Sequence, residues 1–271
     1  MRIEDFEDII YEKEENGICT ATISRPEARN AVTYISFLEI YTVLEDMEQD
    51  KNARVLILTG DPRGNAFTSG GYFNPEMMEQ MKKYPEIDLM DIAQKKVCMK
   101  FWDFTKPVIA SINGIAIGGG ITMPLACADL IYMAEDAWLG FFFSRNGIIP
   151  EFACSFLLPL LVGFQKAKEI CYFGKKITAQ KALKIGLVNK VLPSEELIPY
   201  TREQALKLIP PQGASLSLKL MKKTIHSYFK DIIERTLDLE NRGLRKTFAS
   251  KDFNESMKAI KEKRDPKFIG R

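Results

Sequence analysis

The stretch Lys106-Pro107-Val108-Ile109-Ala110-Ser111-Ile112-Asn113-Gly114, continuing through Ile115-Ala116-Ile117 into Gly118-Gly119-Gly120, decides the fold. Val108 to Ile112 is a short apolar run between a proline and a glycine, which reads as a buried strand. The three glycines then open a short helix predicted to end near Ala128, and a further strand is expected over Asp129 to Ala134. Upstream, Val55-Leu56-Ile57-Leu58-Thr59, closed by Gly60, is another fully apolar strand of the kind that parallel sheets bury on both faces. Apolar strands alternating with helices predict α/β layering with parallel strands.

Working outward, residues 7–24 alternate around Asn16-Gly17, a pair that favours a tight hairpin turn. Ser36 to Asp50 carries Phe37, Ile40, Tyr41, Leu44 and Met47 at helical spacing. Residues 72–90, rich in Met, Pro, Glu and Lys with weak periodicity, are expected to form a mobile or substrate-covering segment. From Ser194 the pattern turns to long helices rich in Lys, Glu and Leu, one expected from Pro210 through Tyr228 and another over Asp231 to Ser250. The expected organisation is a core domain over residues 1–193 and a helical C-terminal region over 194–271.

Composition excludes several function classes. With 38 Lys and Arg against 36 Asp and Glu, the net charge of +2 gives no reason to expect a nucleic-acid partner. The N-terminus is acidic and lacks the apolar core of a secretory signal, and no run approaches the roughly 18 to 20 apolar residues of a membrane span. No membrane partner is expected, and the default location is the cytoplasm. Cys19, Cys98, Cys127, Cys154 and Cys171 have no paired close spacing and read as buried reduced thiols. The single histidine, His226, falls on an amphipathic helix face, so neither a His-based metal centre nor a Ser-His-Asp triad is expected.

Two glycine-containing segments and one acid carry the chemistry. Gly118-Gly119-Gly120 follows a strand and opens a helix, where backbone N–H groups point outward unpaired and the helix dipole favours negative charge. No Gly-Lys-Ser/Thr follows, so a phosphate-binding P-loop is not indicated. Ala66-Phe67-Thr68-Ser69-Gly70-Gly71 comes after the Val55 strand and can bring a second N–H beside that of Gly119. Two such donors suit a thioester oxygen that becomes an enolate in the transition state. Glu151, directly after Gly147-Ile148-Ile149-Pro150, is the acid that could move a proton there. Its other reading is a first-turn helix acid placed for the dipole.

In order and content these motifs resemble the crotonase (enoyl-CoA hydratase/isomerase) superfamily over nearly the whole chain. The matching pieces include Ser24-Arg25-Pro26-Glu27-Ala28-Arg29-Asn30-Ala31, Ala66 to Gly71, Lys106 to Gly120, Ala126-Cys127-Ala128-Asp129 and Gly174-Lys175-Lys176-Ile177-Thr178-Ala179. The resemblance implies a spiral of ββα repeats with a helical C-terminal region, assembled as a homotrimer or a dimer of trimers. It implies that the N–H groups of Gly71 and Gly119 hold the thioester oxygen. It implies further that Arg29, Ala31, Ala66 and Thr68 line the path of an acyl-CoA substrate. No cofactor is implied beyond the coenzyme A that the substrate carries.

The chain departs from the pattern where hydratases keep two glutamates: Thr122 and Phe143 stand at those positions. Hydration needs one group to activate water and one to deliver a proton, and neither residue can do so at neutral pH. Phe143 becomes instead an expected acyl-binding residue. Glu151 resembles the lone glutamate of the 3-enoyl-CoA to 2-enoyl-CoA isomerases, and the surrounding Phe141, Phe142, Phe143 and Phe152 are expected to raise its pKa. The implied activity is a shift of a double bond from the 3,4 to the 2,3 position. Dienoyl-CoA isomerisation, thioester hydrolysis, dehalogenation and a catalytically silent acyl-CoA-binding subunit are the alternatives. Asp129 and Trp138 read as structural, Arg145 as a surface or substrate-carboxylate contact, and Lys261 to Lys267 as a solvated tail.

Overall fold

The computed structural model describes residues 1–71, 79 and 82–271; of the covering segment expected over 72–90, positions 72–78, 80 and 81 lie outside them. Strands β1 (Ile9–Lys13) and β2 (Ile18–Ile23) form the antiparallel hairpin expected around Asn16-Gly17. The Asn16 Oδ1 atom accepts the Ile18 N–H at 2.9 Å, and Gly17 takes a φ of 95° that an L side chain would resist. Beyond β2 every pairing in the main sheet is parallel, through β3 (Val55–Gly60), β5 (Val108–Ile112), β7 (Leu130–Ala134) and β10 (Lys190–Leu192), in the order β1-β2-β3-β5-β7-β10. Every residue of β3 and β5 is buried, which is why these strands read as unbroken apolar runs.

A second sheet, ordered β4-β6-β8-β9, is built from β4 (Ala66–Thr68), β6 (Ile115–Ile117), β8 (Trp138–Gly140) and β9 (Lys176–Thr178). The chain thus visits the main sheet, the small sheet and a helix in turn. β5 and β6 lead to α3 (Gly119–Cys127), and β7 and β8 lead to α4 (Cys154–Val162). This is the ββα repetition of a crotonase-like α/β fold.

Two earlier helices brace the sheets: α1 (Tyr34–Gln49), opened by a capping box between Thr33 and Ser36, and α2 (Val97–Asp103). Leu89 is fully buried, so the chain is anchored in the core again before α2 begins. After α4 come α5 (Phe164–Phe173), α6 (Ala179–Lys184), α7 (Ser194–Lys207), α8 (Ser215–Ser227), α9 (Lys230–Phe248) and α10 (Lys251–Glu262).

The helix expected from Pro210 begins five residues later, at Ser215. A proline pushes the residue before it out of the helical region, so Pro210-Pro211 holds the chain in turns, and the Gly213 N–H bonds back to the Ile209 carbonyl. Helix α7 lies on the main sheet, with Thr201 Oγ1 3.1 Å from Ser111 Oγ, and Leu197, Ala205, Ile233 and Leu237 join the same hydrophobic core as the strands. Among the described residues no helix is long and apolar enough to cross a membrane. All five cysteines are free thiols, with only Cys171 partly exposed.

Candidate active site

Gly118 occupies φ 53°, ψ −121°, a conformation glycine alone adopts without strain, and turns the chain from β6 into α3. Its own N–H is spent on the Gly140 carbonyl at 2.9 Å. Gly119 is the first residue of α3, so its N–H has no partner within the helix. Gly120 sits where a Cβ would come within 2.5 Å of the Thr68 carbonyl oxygen, which lets the start of α3 lie against the end of β4.

That contact brings the loop after β4 to the same place. The Gly70 N–H donates to Thr68 Oγ1 at 3.1 Å, the Gly70 carbonyl accepts the Val32 N–H at 2.9 Å, and Gly71 forms a parallel bridge with Val32. Gly71 and Gly119 therefore line one cavity of about 230 Å³, together with Phe143 and Glu151. Phe142, Ile148, Met257 and Ile260 add apolar side chains to its wall, and Ser69 and Asn146 polar ones. A larger cleft of about 600 Å³ beside α7 contains none of these groups.

Glu151 does not lie in the first turn of α4. It precedes a tight turn in which Phe152 and Ala153 have φ values of 56° and 55°, left-handed backbone that non-glycine residues seldom adopt. The carboxyl faces the start of α3: a Cβ placed on Gly119 would be 3.1 Å from Glu151 Oε1. Burial pushes the Glu151 pKa up to about 7, the charge of Glu240 adds to the rise, and the Gly119 N–H acts against it. A carboxyl in that range is half ionised near neutrality, which suits it to take up and return a proton. Burial also raises the Tyr34 hydroxyl, with the charge of Glu151 as a second cause.

The aromatic surroundings differ in part from expectation. Phe143 faces the cavity and Phe142 joins it, whereas Phe141 is fully buried with its ring centroid 6.5 Å from that of Phe143. Phe152 packs on Phe37 at 5.5 Å, behind the Glu151 turn. Thr122 is buried with its hydroxyl donated to the Gly118 carbonyl at 3.2 Å, so it offers nothing to the cavity.

Arg29, Ala31, Ala66 and Thr68 are not among the described residues that line the cavity. Arg29 is exposed at φ 53°, and its carbonyl accepts the Ser69 N–H at 3.1 Å. Ala31, Ala66 and Thr68 are buried, and the Ala66 carbonyl accepts Asn30 Nδ2 at 2.7 Å. His226 lies elsewhere, its ring 4.4 Å from that of Trp102, with burial lowering its pKa. Asp129 accepts the Val108 N–H and pairs with Lys222 at 2.8 Å, a structural role. Arg145 is exposed, over the Phe142 ring at 5.7 Å.

The residue that sequence reasoning missed is Glu240 on α9. It is 2% exposed and accepts the Ala153 N–H at 2.7 Å and the Ser155 N–H at 2.8 Å. The acid that serves the N-terminus of α4 is thus Glu240 rather than Glu151. A signal existed: Ile233, Leu237, Glu240 and Leu244 are the buried residues of α9, so an acid falls on its apolar stripe.

Comparison with known proteins agrees with the fold and the motif order. The family model described as enoyl-CoA hydratase/isomerase matches residues 13–271. A crotonyl-CoA hydratase of Syntrophomonas wolfei is 33% identical over 98% of this chain and 99% of its own length. A 1,2-epoxyphenylacetyl-CoA isomerase of Escherichia coli is 29% identical over 95% of this chain and 97% of its own. The crystal structure of an enoyl-CoA hydratase/isomerase from Pseudoalteromonas atlantica superposes with a TM-score of 0.82 at 27% identity, over 97% of this chain and all of that one. With a family match reaching from β1 to the last residue, and a fold and glycine turns to go with it, the chain belongs to the enoyl-CoA hydratase/isomerase (crotonase) family.

Proposed function

We propose that this enzyme is an acyl-CoA isomerase that moves a double bond from the 3,4 to the 2,3 position with one carboxylate. The observation that carries this reading is the composition of the cavity wall. Among the described residues that line it Glu151 is the only carboxylate, and the two positions at which hydratases keep glutamates hold Thr122 and Phe143. Names among the relatives include both hydratases and an isomerase, so chemistry at the site has to decide between them.

The thioester oxygen would accept the Gly71 and Gly119 N–H groups. Ionised Glu151 then takes the C2 proton, and the electron pair of the C–H bond delocalises over the carbonyl and the 3,4 double bond as a dienolate. Return of the same proton to C4 re-forms the carbonyl and leaves the double bond between C2 and C3. The Gly71 N–H and the Gly119 N–H, the latter once the thioester oxygen displaces Glu151 from it, would stand where charge develops in the transition state. The reaction as written balances without any cofactor.

Acyl-CoA as partner follows from the same reading, as does a trimer or pair of trimers. Apolar side chains left exposed on α8, such as Leu216, Leu220 and Ile225, support self-association, which light scattering can measure. The function is tested by incubating 3-enoyl-, 2-enoyl- and aromatic acyl-CoAs in deuterated water and reading products and label by mass spectrometry. Glu151→Gln should bind acyl-CoA with similar affinity yet lose isomerisation and C2 exchange by roughly a hundred- to ten-thousandfold. Retention of both activities would remove Glu151 from the mechanism.

A further inference from the structure

Outside the cavity, α9 contributes the buried acid Glu240 to the segment that carries Glu151. Both of its carboxylate oxygens are committed, one to the Ala153 N–H at 2.7 Å and the other to the Ser155 N–H at 2.8 Å. Ala153 belongs to the turn that directly follows Glu151 and Ser155 to the first turn of α4, and the turn after Glu151 includes two consecutive non-glycine residues with positive φ. Left-handed backbone of this kind persists only when its surroundings fix it. The fixing groups here are the bidentate acceptor Glu240 and, one turn further along α9, Gly243, whose missing side chain makes room for Ile149.

We infer that Glu240 is the positioning residue for Glu151: it clamps the Phe152-Ala153 turn so that the Glu151 carboxyl faces Gly119. This rests on the proton-shuttle reading above. Replacing the clamp leaves the reacting groups in place chemically but frees the backbone that aims one of them. The other titratable groups around the pair are Tyr34 of α1, Cys154 of α4 and Cys171 of α5, and none of these carries charge while its proton is on. Burial is the larger cause of the raised Glu151 proton affinity, and Glu240, itself pushed up to about 7 by burial, adds to it while ionised.

The test measures C2 exchange of a 3-enoyl-CoA against pH for the full-length wild type, Glu240→Gln and Glu240→Asp, with acyl-CoA affinity and thermal midpoint recorded in parallel. An amide at 240 can accept only one of the two N–H groups and removes the charge. Glu240→Gln should lower kcat on the order of ten- to a hundredfold at unchanged KM, as expected for misplacement of a reacting group by up to about 1 Å. The acid limb of its pH profile should move to lower pH. Glu240→Asp keeps the charge but cannot span both N–H groups, so kcat should fall while the limb stays near that of the wild type. If Glu240→Gln fails to fold, Glu240→Asp decides through kcat alone. A folded variant with lowered thermal midpoint but wild-type kcat and pH limb would overturn the inference, leaving Glu240 as a helix cap. Absence of exchange in the wild type would instead refute the proton-shuttle reading.

Discussion

Replacing Gly119 with alanine isolates the geometry between the proposed oxygen-binding N–H and the base. The N–H donor survives, and Gly119 does not occupy a left-handed conformation, so a methyl group can be added without backbone strain. The new Cβ would lie 3.1 Å from Glu151 Oε1, 3.8 Å from its Cδ and 4.0 Å from Phe152 Cε2. Only the first is closer than ordinary van der Waals contact, so the carboxylate has to withdraw by a few tenths of an ångström. If a 1 Å misplacement costs roughly a hundredfold, a shift of about 0.3 to 0.5 Å costs roughly four- to tenfold in kcat. Crowding where a thioester oxygen must approach adds to that loss.

Stability should stay level or rise slightly, since alanine loses less backbone entropy than glycine at a helical position. Gly120→Ala is the control with the opposite signature: its Cβ would meet the Thr68 carbonyl at 2.5 Å, a backbone atom that cannot swing aside. Overpacking of this kind costs about 1–3 kcal/mol and should lower the thermal midpoint by several degrees. Deuterium exchange at C2 and a thermal melt on both variants supply the comparison. Wild-type exchange in a folded Gly119→Ala protein would refute the placement of Glu151 against Gly119.

Three further outcomes follow from the same site. Because the Glu151 pKa is raised to about 7 and the ionised form is the base, C2 exchange should rise with pH through about 7 and level off above it; a rate flat from pH 5 to 8 would contradict this. Water addition to a 2-enoyl-CoA should be negligible beside isomerisation, since Thr122 is tied to the Gly118 carbonyl and Phe143 has no proton to give; comparable rates, read by mass spectrometry, would show that a second acid serves. Gly119→Pro, which deletes the donor, should cost about a hundredfold or more in turnover, and full activity in the folded variant would exclude that N–H from catalysis.

How far each element could be read from sequence depends on the range over which it is determined. β3 and β5 were legible because burial on both faces leaves a continuous apolar run, and the β1–β2 hairpin because Asn16-Gly17 is a local turn signal. The start of α3 was legible for the same reason, its glycines answering to one positive φ and one close approach. Ala31, Ala66 and Thr68 drew a substrate role only from the family pattern, since buried alanines have no distinguishing chemistry of their own, and they are not among the described residues of the cavity wall. The start of α8 was misplaced because a proline pair can open a helix or defer one, and the Gly213–Ile209 bond that defers it is a tertiary outcome. Glu240 escaped because its partners lie 85 and 87 residues away, and an acid in a helix rich in Lys, Glu and Arg reads as solvated until the helix is docked.

The exchange of acids between two helix starts leaves the Glu151 carboxyl free to face Gly119. Had Glu151 accepted the free N–H groups at the start of α4, as an acid just before a helix commonly does, its oxygens would have turned to that helix rather than to the cavity. Those bonds alone would not have made it a weak base, since Glu240 accepts them and burial still pushes the Glu240 pKa up to about 7. Glu240 takes those N–H groups instead, and adds a like charge behind Glu151 rather than a donor. Glu151 is left with the single N–H of Gly119, the same group proposed for the substrate oxygen. A thioester oxygen that engaged that N–H would compete with the carboxylate for it, raising the proton affinity of Glu151 at the moment it must take the C2 proton. Binding of a non-reacting acyl-CoA should therefore shift the Glu151 titration upward, which carboxyl-resolved NMR of the side chain can follow, and an unchanged titration would break the link between the two roles of Gly119.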